Sequence, residues 1–163
     1  MMENRNLDTE RLHLRALQST DSAFVGELIA HEEVRRFLGG PVPIAQREAV
    51  MAGCLASADG EIVWLVEAKN SRQRLGLISI SYHRDGQDRE LSYQFHPGAW
   101  GFGYATEAAR RVLDYALKEL QLDRLIAETQ SANAASRRLL ERVGMREAAR
   151  LHRFGAEQLI YVS

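Results

Sequence analysis

The stretch Glu90-Leu-Ser-Tyr-Gln-Phe-His-Pro-Gly-Ala-Trp-Gly-Phe-Gly-Tyr-Ala-Thr-Glu-Ala-Ala-Arg-Arg-Val-Leu-Asp-Tyr-Ala116 decides the fold. Leu91, Tyr93 and Phe95 alternate with Ser92, Gln94 and His96, the period of a strand with one buried face. Pro97 and Gly98 end that pattern. Gly101 and Gly103 bracket Phe102, and Ala105, Ala109, Val112, Leu113, Ala116 and Leu120 follow at helical spacing. The segment reads as strand, glycine turn, helix.

A helix start carries N–H groups without internal partners and the positive end of the dipole. Glycines beside it let the backbone approach a ligand closely. The combination suits a phosphate or pyrophosphate. No lysine stands in this turn, so a phosphate loop ending in Gly-Lys-Ser/Thr does not fit. The dinucleotide fingerprint fits only in part, because its third glycine is replaced by Thr106.

Trp100-Gly101-Phe102-Gly103-Tyr104-Ala105-Thr106-Glu107-Ala108 resembles the acetyl-CoA loop of the GNAT N-acetyltransferases, in their RimJ/RimL-like, ribosomal-protein-acetylating branch. Two further segments carry the resemblance. Thr9-Glu10-Arg11-Leu12-His13-Leu14-Arg15 is similar to the branch's first strand. Asn133-Ala134-Ala135-Ser136, then Leu139-Leu140-Glu141-Arg142-Val143-Gly144-Met145, is similar to its late Asn-x-x-Ser helix.

The resemblance implies roles for individual residues. Gly101, Phe102, Gly103, Tyr104, Ala105 and Thr106 would offer N–H groups to the CoA pyrophosphate. Trp100 would pack beside them. Asn133, a cap by its own chemistry, would also hydrogen-bond the pantetheine chain. Many GNAT enzymes place a tyrosine acid where Leu140 stands; Ser136 would instead stabilise the departing thiolate. Main-chain N–H groups near Phe95 would polarise the thioester carbonyl. Glu90 is either a solvated strand-end carboxylate or the general base, with His83 and His96 as competitors. Arg35 and Phe37, in the segment from Val34 to Leu38, would line the acceptor side. Arg35 or Arg36 there would favour an acidic acceptor. No metal is implied.

The 163 residues fit one domain, 1–163, and their net charge of −1 gives no bulk attraction to nucleic acid or anionic membrane. Cys54 is the sole cysteine, which excludes a disulfide framework and fits a reducing cytoplasm. Met1 to Thr9 lacks the apolar core of a secretory signal, and no apolar run approaches a bilayer span.

Elsewhere the chain reads as a strand at Arg11 to Leu17 and a helix presenting Phe24, Val25, Leu28 and Ile29 behind the cap-type residues Ser19 to Ser22. A short helix runs from His31 to Leu38. Another runs from Ile44 to Ala56, with Ala49, Ala52 and Leu55 inward. Asp59-Gly60 is a turn. Strands follow at Ile62 to Glu67 and Leu75 to His83. Later come a strand at Leu125 to Thr129, a helix at Ala132 to Val143, and a closing pair turning at Gly155 to Glu157. The expectation is an α+β domain: a mixed, mostly antiparallel sheet flanked by helices. The resemblance implies one splayed parallel strand pair with the pantetheine arm between.

The function implied is transfer of an acetyl group from acetyl-CoA to a primary amine, on a small molecule or a protein N-terminus, by direct attack. A homodimer is compatible with it. One alternative is a dinucleotide-binding module with Glu128 on a ribose. The other is a CoA-binding protein without catalysis.

Overall fold

The computed structural model describes residues 5–56 and 60–163; the expected turn residue Asp59 lies outside them. The elements are β1 (Leu7–Asp8), β2 (Leu12–Ala16), α1 (Ser22–Ala30), α2 (Glu32–Arg35), α3 (Ile44–Ala56), β3 (Ile62–Ala68), β4 (Arg74–Tyr82), β5 (Arg89–Phe95), α4 (Tyr104–Asp114), β6 (Ile126–Gln130), α5 (Ala134–Arg142), β7 (Arg146–Arg153) and β8 (Ala156–Val162). They form a mixed sheet in the order β1-β2-β3-β4-β5-β6-β8-β7. Every pairing is antiparallel except β5 with β6.

Strand alternation puts an apolar core on each side of the sheet. The larger core gathers Leu12, Leu14, Trp64, Ile78, Leu91, Phe95 and Leu159 against α4 and α5, through Ala109, Val112, Leu139 and Leu140. The smaller joins Leu65 and Leu77 to Val25, Leu28 and Ile29 of α1. Helix α4 continues into a π-helical turn, Tyr115–Glu119, and the Tyr115 ring meets Trp64 edge-on at 5.7 Å.

Two local expectations differ from the structure. Helix α3 turns Val50 and Met51 to the smaller core, while Ala49, Ala52 and Leu55 are exposed. Val50 and Met51 lie side by side on the helix, and these apolar side chains, larger than alanine, face in. The last hairpin turns at Phe154 and Gly155, with φ of 56° and 74°, so that β8 already begins at Ala156. A two-residue hairpin turn of this kind needs left-handed backbone at both central positions.

Asp21, fully buried at the start of α1, ties that helix to the sheet. Its carboxylate accepts from Arg15 Nη1 and Nη2 at 2.9 Å, from Arg74 Nε at 2.8 Å and from the Gln18 N–H at 2.8 Å. Burial alone would raise its pKa, but these donors hold it well below the usual carboxylate range. Removing one partner of a buried ion pair strands the other charge, so Asp21→Ala is expected to lose about 3 kcal/mol in urea unfolding at pH 7. Because the folded pKa is depressed, this contribution is complete above the ordinary carboxylate pKa and fades as pH falls toward the folded value. The gap between wild type and variant therefore narrows in acid.

Candidate active site

The site is a cleft of about 1020 Å³ that opens where β5 and β6 separate. Their pairing is the single register Glu90↔Ile126. Beyond it β5 stays on β4 as far as Phe95, opposite Gly76, while β6 stays on β8 as far as Gln130, opposite Gln158. The His96 N–H donates to Leu75 O across β4. By antiparallel alternation, the main-chain groups of Phe95 and Tyr93 then point into the gap. The Trp100 ring N–H donates to Phe95 O at 2.9 Å and draws the following loop onto the strand end.

The same alternation sorts side chains between the two faces of the split. Leu91, Tyr93, Phe95 and Ala127 face the core beneath α4 and α5. Glu90, Gln94, Glu128 and Gln130 face the other way, toward the loop after α2. Arg35 Nη1 reaches Gln94 Oε1 at 3.4 Å, and Gln130 Nε2 donates to Phe37 O at 3.2 Å. Arg35 also donates to Gly40 O and Leu38 O, at 3.0 and 2.8 Å. Its guanidinium is thus spent on shaping its own loop, outside the cleft wall, whereas Phe37 lines it.

On the helix side, Gly101 and Gly103 have φ of 84° and 78°, backbone that glycine tolerates best. Helix α4 starts directly after, and its first internal bond runs from the Glu107 N–H to Gly103 O. The N–H groups of Tyr104, Ala105 and Thr106 are left at the positive end of the helix. Gly101, Gly103, Tyr104, Ala105 and Thr106 all line the cleft; the Phe102 ring is exposed and lies 5.7 Å from the Tyr104 ring.

The first strand braces this loop. Arg11 Nε donates to Glu107 Oε1 at 2.8 Å, the Arg11 N–H donates to Glu107 Oε2 at 3.0 Å, and Arg11 Nη1 donates to Phe102 O at 2.9 Å. The guanidinium also lies 4.5 Å above the Tyr104 ring, and the Thr9 hydroxyl donates to Glu107. Arg11 therefore neutralises the one carboxylate in the first turn of α4 and holds the Phe102 carbonyl away from the helix end. Both effects favour an anion there. The fit to a pyrophosphate rests on this set of open amides, not on a cationic side chain within the loop.

Asn133 caps α5, its Oδ1 accepting the Ser136 N–H at 3.2 Å. The Ser136 hydroxyl lies 2.6 Å from the Tyr93 hydroxyl. Burial pushes the Tyr93 phenol up to about 12, against the opposing pull of Ser136, so it remains protonated at neutral pH. Leu140 is buried in the core. A tyrosine hydroxyl thus enters the site from β5, a position that sequence alternation had marked only as core.

On the opposite face stands a cluster of ionisable groups. His83 is buried, with Nε2 2.7 Å from Glu128 Oε1, 3.9 Å from Glu90 Oε2, and Nδ1 3.0 Å from Asp85 Oδ2. Arg153 pairs with Glu128 as well. Burial lowers the proton affinity of His83, but Glu128, Asp85 and Glu90 outweigh it and the net shift is upward. Burial is also the largest influence on Glu90; with the Glu128 charge it raises the carboxyl against the pull of His83, Arg84 and Arg153. Glu128 moves down, because Arg153 and His83 overcome its burial. His96 lies elsewhere, capping the 3₁₀ turn Pro97–Ala99 and facing Glu27 at 2.9 Å.

The Acetyltransferase (GNAT) domain family matches residues 11–146. The chain belongs to the GNAT acetyltransferase family. It is 28% identical to the uncharacterized N-acetyltransferase YoaA of Bacillus subtilis, over 91% of this chain and 86% of that protein. Among solved structures, an acetyltransferase from Agrobacterium tumefaciens superposes with a TM-score of 0.87 at 27% identity, covering 100% of this chain and 96% of that one. The spermidine N-acetyltransferase of Vibrio cholerae, solved with CoA and spermine, shares the GNAT fold at a TM-score of 0.78 and 21% identity, with 94% of each chain covered. The dinucleotide alternative loses its ribose ligand, since Glu128 is engaged by His83 and Arg153.

Sequence reasoning missed the His83–Glu128–Arg153 grouping, which joins residues from three distant segments with no local motif. The Tyr93–Ser136 pair likewise joins residues 43 apart with no local motif. Arg11→Ala is expected to weaken acetyl-CoA binding about tenfold, or about 1.4 kcal/mol. Calorimetric titration checks it, alongside circular dichroism to confirm an intact fold.

Proposed function

We propose that this GNAT protein is a cytoplasmic, acetyl-CoA-dependent N-acetyltransferase of the RimJ/RimL-like branch. Its acceptor is a primary amine, on a small molecule or a protein N-terminus, that attacks directly within a ternary complex. The observation that carries this reading is the sorting of groups across the split: hydroxyls and open amides face α4 and α5, and carboxylates face the α2 loop. One reactant can enter from each side and meet in the gap.

Acetyl-CoA supplies the activated acetyl group when bound. The amides from Gly101 to Thr106 hold its diphosphate, Asn133 its pantetheine arm, and the Phe95 N–H its carbonyl oxygen. The amine forms the new C–N bond as the C–S bond breaks. Ser136, backed by the Tyr93 phenol, donates a hydrogen bond to the sulfur. Glu90 takes the amine proton. A lysine-like amine at pH 7 is protonated by about three pK units, so its free form costs about 4 kcal/mol. A carboxyl raised by burial is better matched to that task than an ordinary one. A fold relative solved with CoA and a polyamine supports a site for both reactants on this scaffold.

Release of CoA thiol from acetyl-CoA, screened over primary amines, tests the function. Amine-dependent release is expected; tight binding of acetyl-CoA without release would favour a non-catalytic CoA-binding protein. Glu90→Gln is expected to lower kcat/KM about 100-fold at pH 7. The deficit should shrink as pH rises toward the amine's own pKa, where no base is needed. A loss equal at every pH would mean that Glu90 acts otherwise.

A further inference from the structure

The acceptor side carries a cation that the proposed chemistry leaves unused. Arg84, in the turn between β4 and β5, lines the cleft with Glu90. Its guanidinium lies 4.5 Å from the centre of the Phe154 ring, and no carboxylate of the described residues forms an ion pair with it. Phe154 is 67% exposed and sits at a φ of 56°, where a hairpin turn favours Asn, Asp or Gly. An exposed aromatic held in a disfavoured backbone region points to a function. Here the ring also lines the cleft and gives Arg84 a flat support that does not neutralise it.

Apart from Glu90, kept for the amine, the acidic groups nearby are already paired: Glu128 with Arg153 and His83, and Asp85 with His83. Among the described residues Glu33 also lines the cleft without an ion pair, and so does Arg36, whose guanidinium lies 5.2 Å from the Phe37 ring. A polycation entering this mouth would meet Arg84 and Arg36 with little negative charge free to hold it. An anionic group would meet a planar donor suited to bidentate contact. Arg84 stands two residues beyond Tyr82, which pairs with Arg89, so the turn places it in the same cleft as Glu90. An acceptor can therefore set its amine at Glu90 and its anionic group at Arg84 within a short molecule.

We propose that Arg84, supported on Phe154, binds a carboxylate on the acceptor, so that the substrates are short amino-carboxylates in preference to polyamines. This rests on the acetyltransferase reading of the same cleft.

Two measurements separate the proposals. Thiol release is compared for free amino acids, the corresponding amino-acid amides and spermidine. Calorimetry in the presence of CoA then measures binding of the same compounds without turnover. The expected result is kcat/KM at least tenfold higher for the carboxylates than for the amides. The amides' less basic amines would otherwise favour them at neutral pH. Arg84→Gln should raise the acceptor KM about tenfold and abolish that preference, with acetyl-CoA affinity within twofold of wild type. Arg84→Lys should recover part of it. Carboxylate and amide used equally, spermidine preferred, or equal losses for all acceptors in Arg84→Gln would overturn the proposal. If Arg84-dependent binding of carboxylates persists while no amine releases thiol, the acetyltransferase reading fails and the carboxylate site stands.

Discussion

Everything at the site follows from the parting of β5 and β6 after one shared register. A buried main-chain N–H or C=O must find a partner, so two parallel strands do not separate without support. Each has its own. β5 remains laddered to β4, and β6 to β8, so each half of the sheet is complete on its outer side. Only the groups facing the gap are left over, and Trp100 covers one of them at Phe95 O. What remains is an edge of unpaired amides inside the protein, suited to an extended ligand with amides of its own.

Once the strands diverge, the two-residue period becomes a means of separating chemistries. Residues an odd number of positions apart on β5 point to opposite sides: Glu90 toward His83, Tyr93 toward Ser136. The electrostatic environments differ accordingly. A phenol raised by burial stays a donor on one side, and a carboxyl raised by burial becomes a better proton acceptor on the other. The loop Gly101–Gly103 supplies a third region, where the helix end is positive and Arg11 cancels Glu107.

Much of this architecture was legible in the chain. The alternation at Leu91, Tyr93 and Phe95, the glycines at 101 and 103, and the helical spacing from Ala105 onward are local patterns, and local patterns survive folding. Helix α3 was read on the wrong face, because apolar residues lie on more than one side of it and only packing against the smaller core decides which are buried. The turn at Phe154 was misplaced by a residue because phenylalanine gives no sign of left-handed backbone. The expected cap at Asn133 is present. Arg35 looked like an acceptor ligand because charge is visible in a sequence, whereas the carbonyls of Leu38 and Gly40 that occupy it are not. His83, Glu128 and Arg153 are brought together only by sheet register, and Thr9 and Arg11 meet Glu107 only across nearly a hundred residues of chain.

A crystal structure of the protein with CoA tests the central claim most directly. The account predicts the pantetheine arm lying between β5 and β6, hydrogen-bonded to the gap-facing amides, with the diphosphate on the N–H groups from Gly101 to Thr106. CoA bound to an intact protein outside that gap, or with its diphosphate held by side chains away from the start of α4, would contradict it.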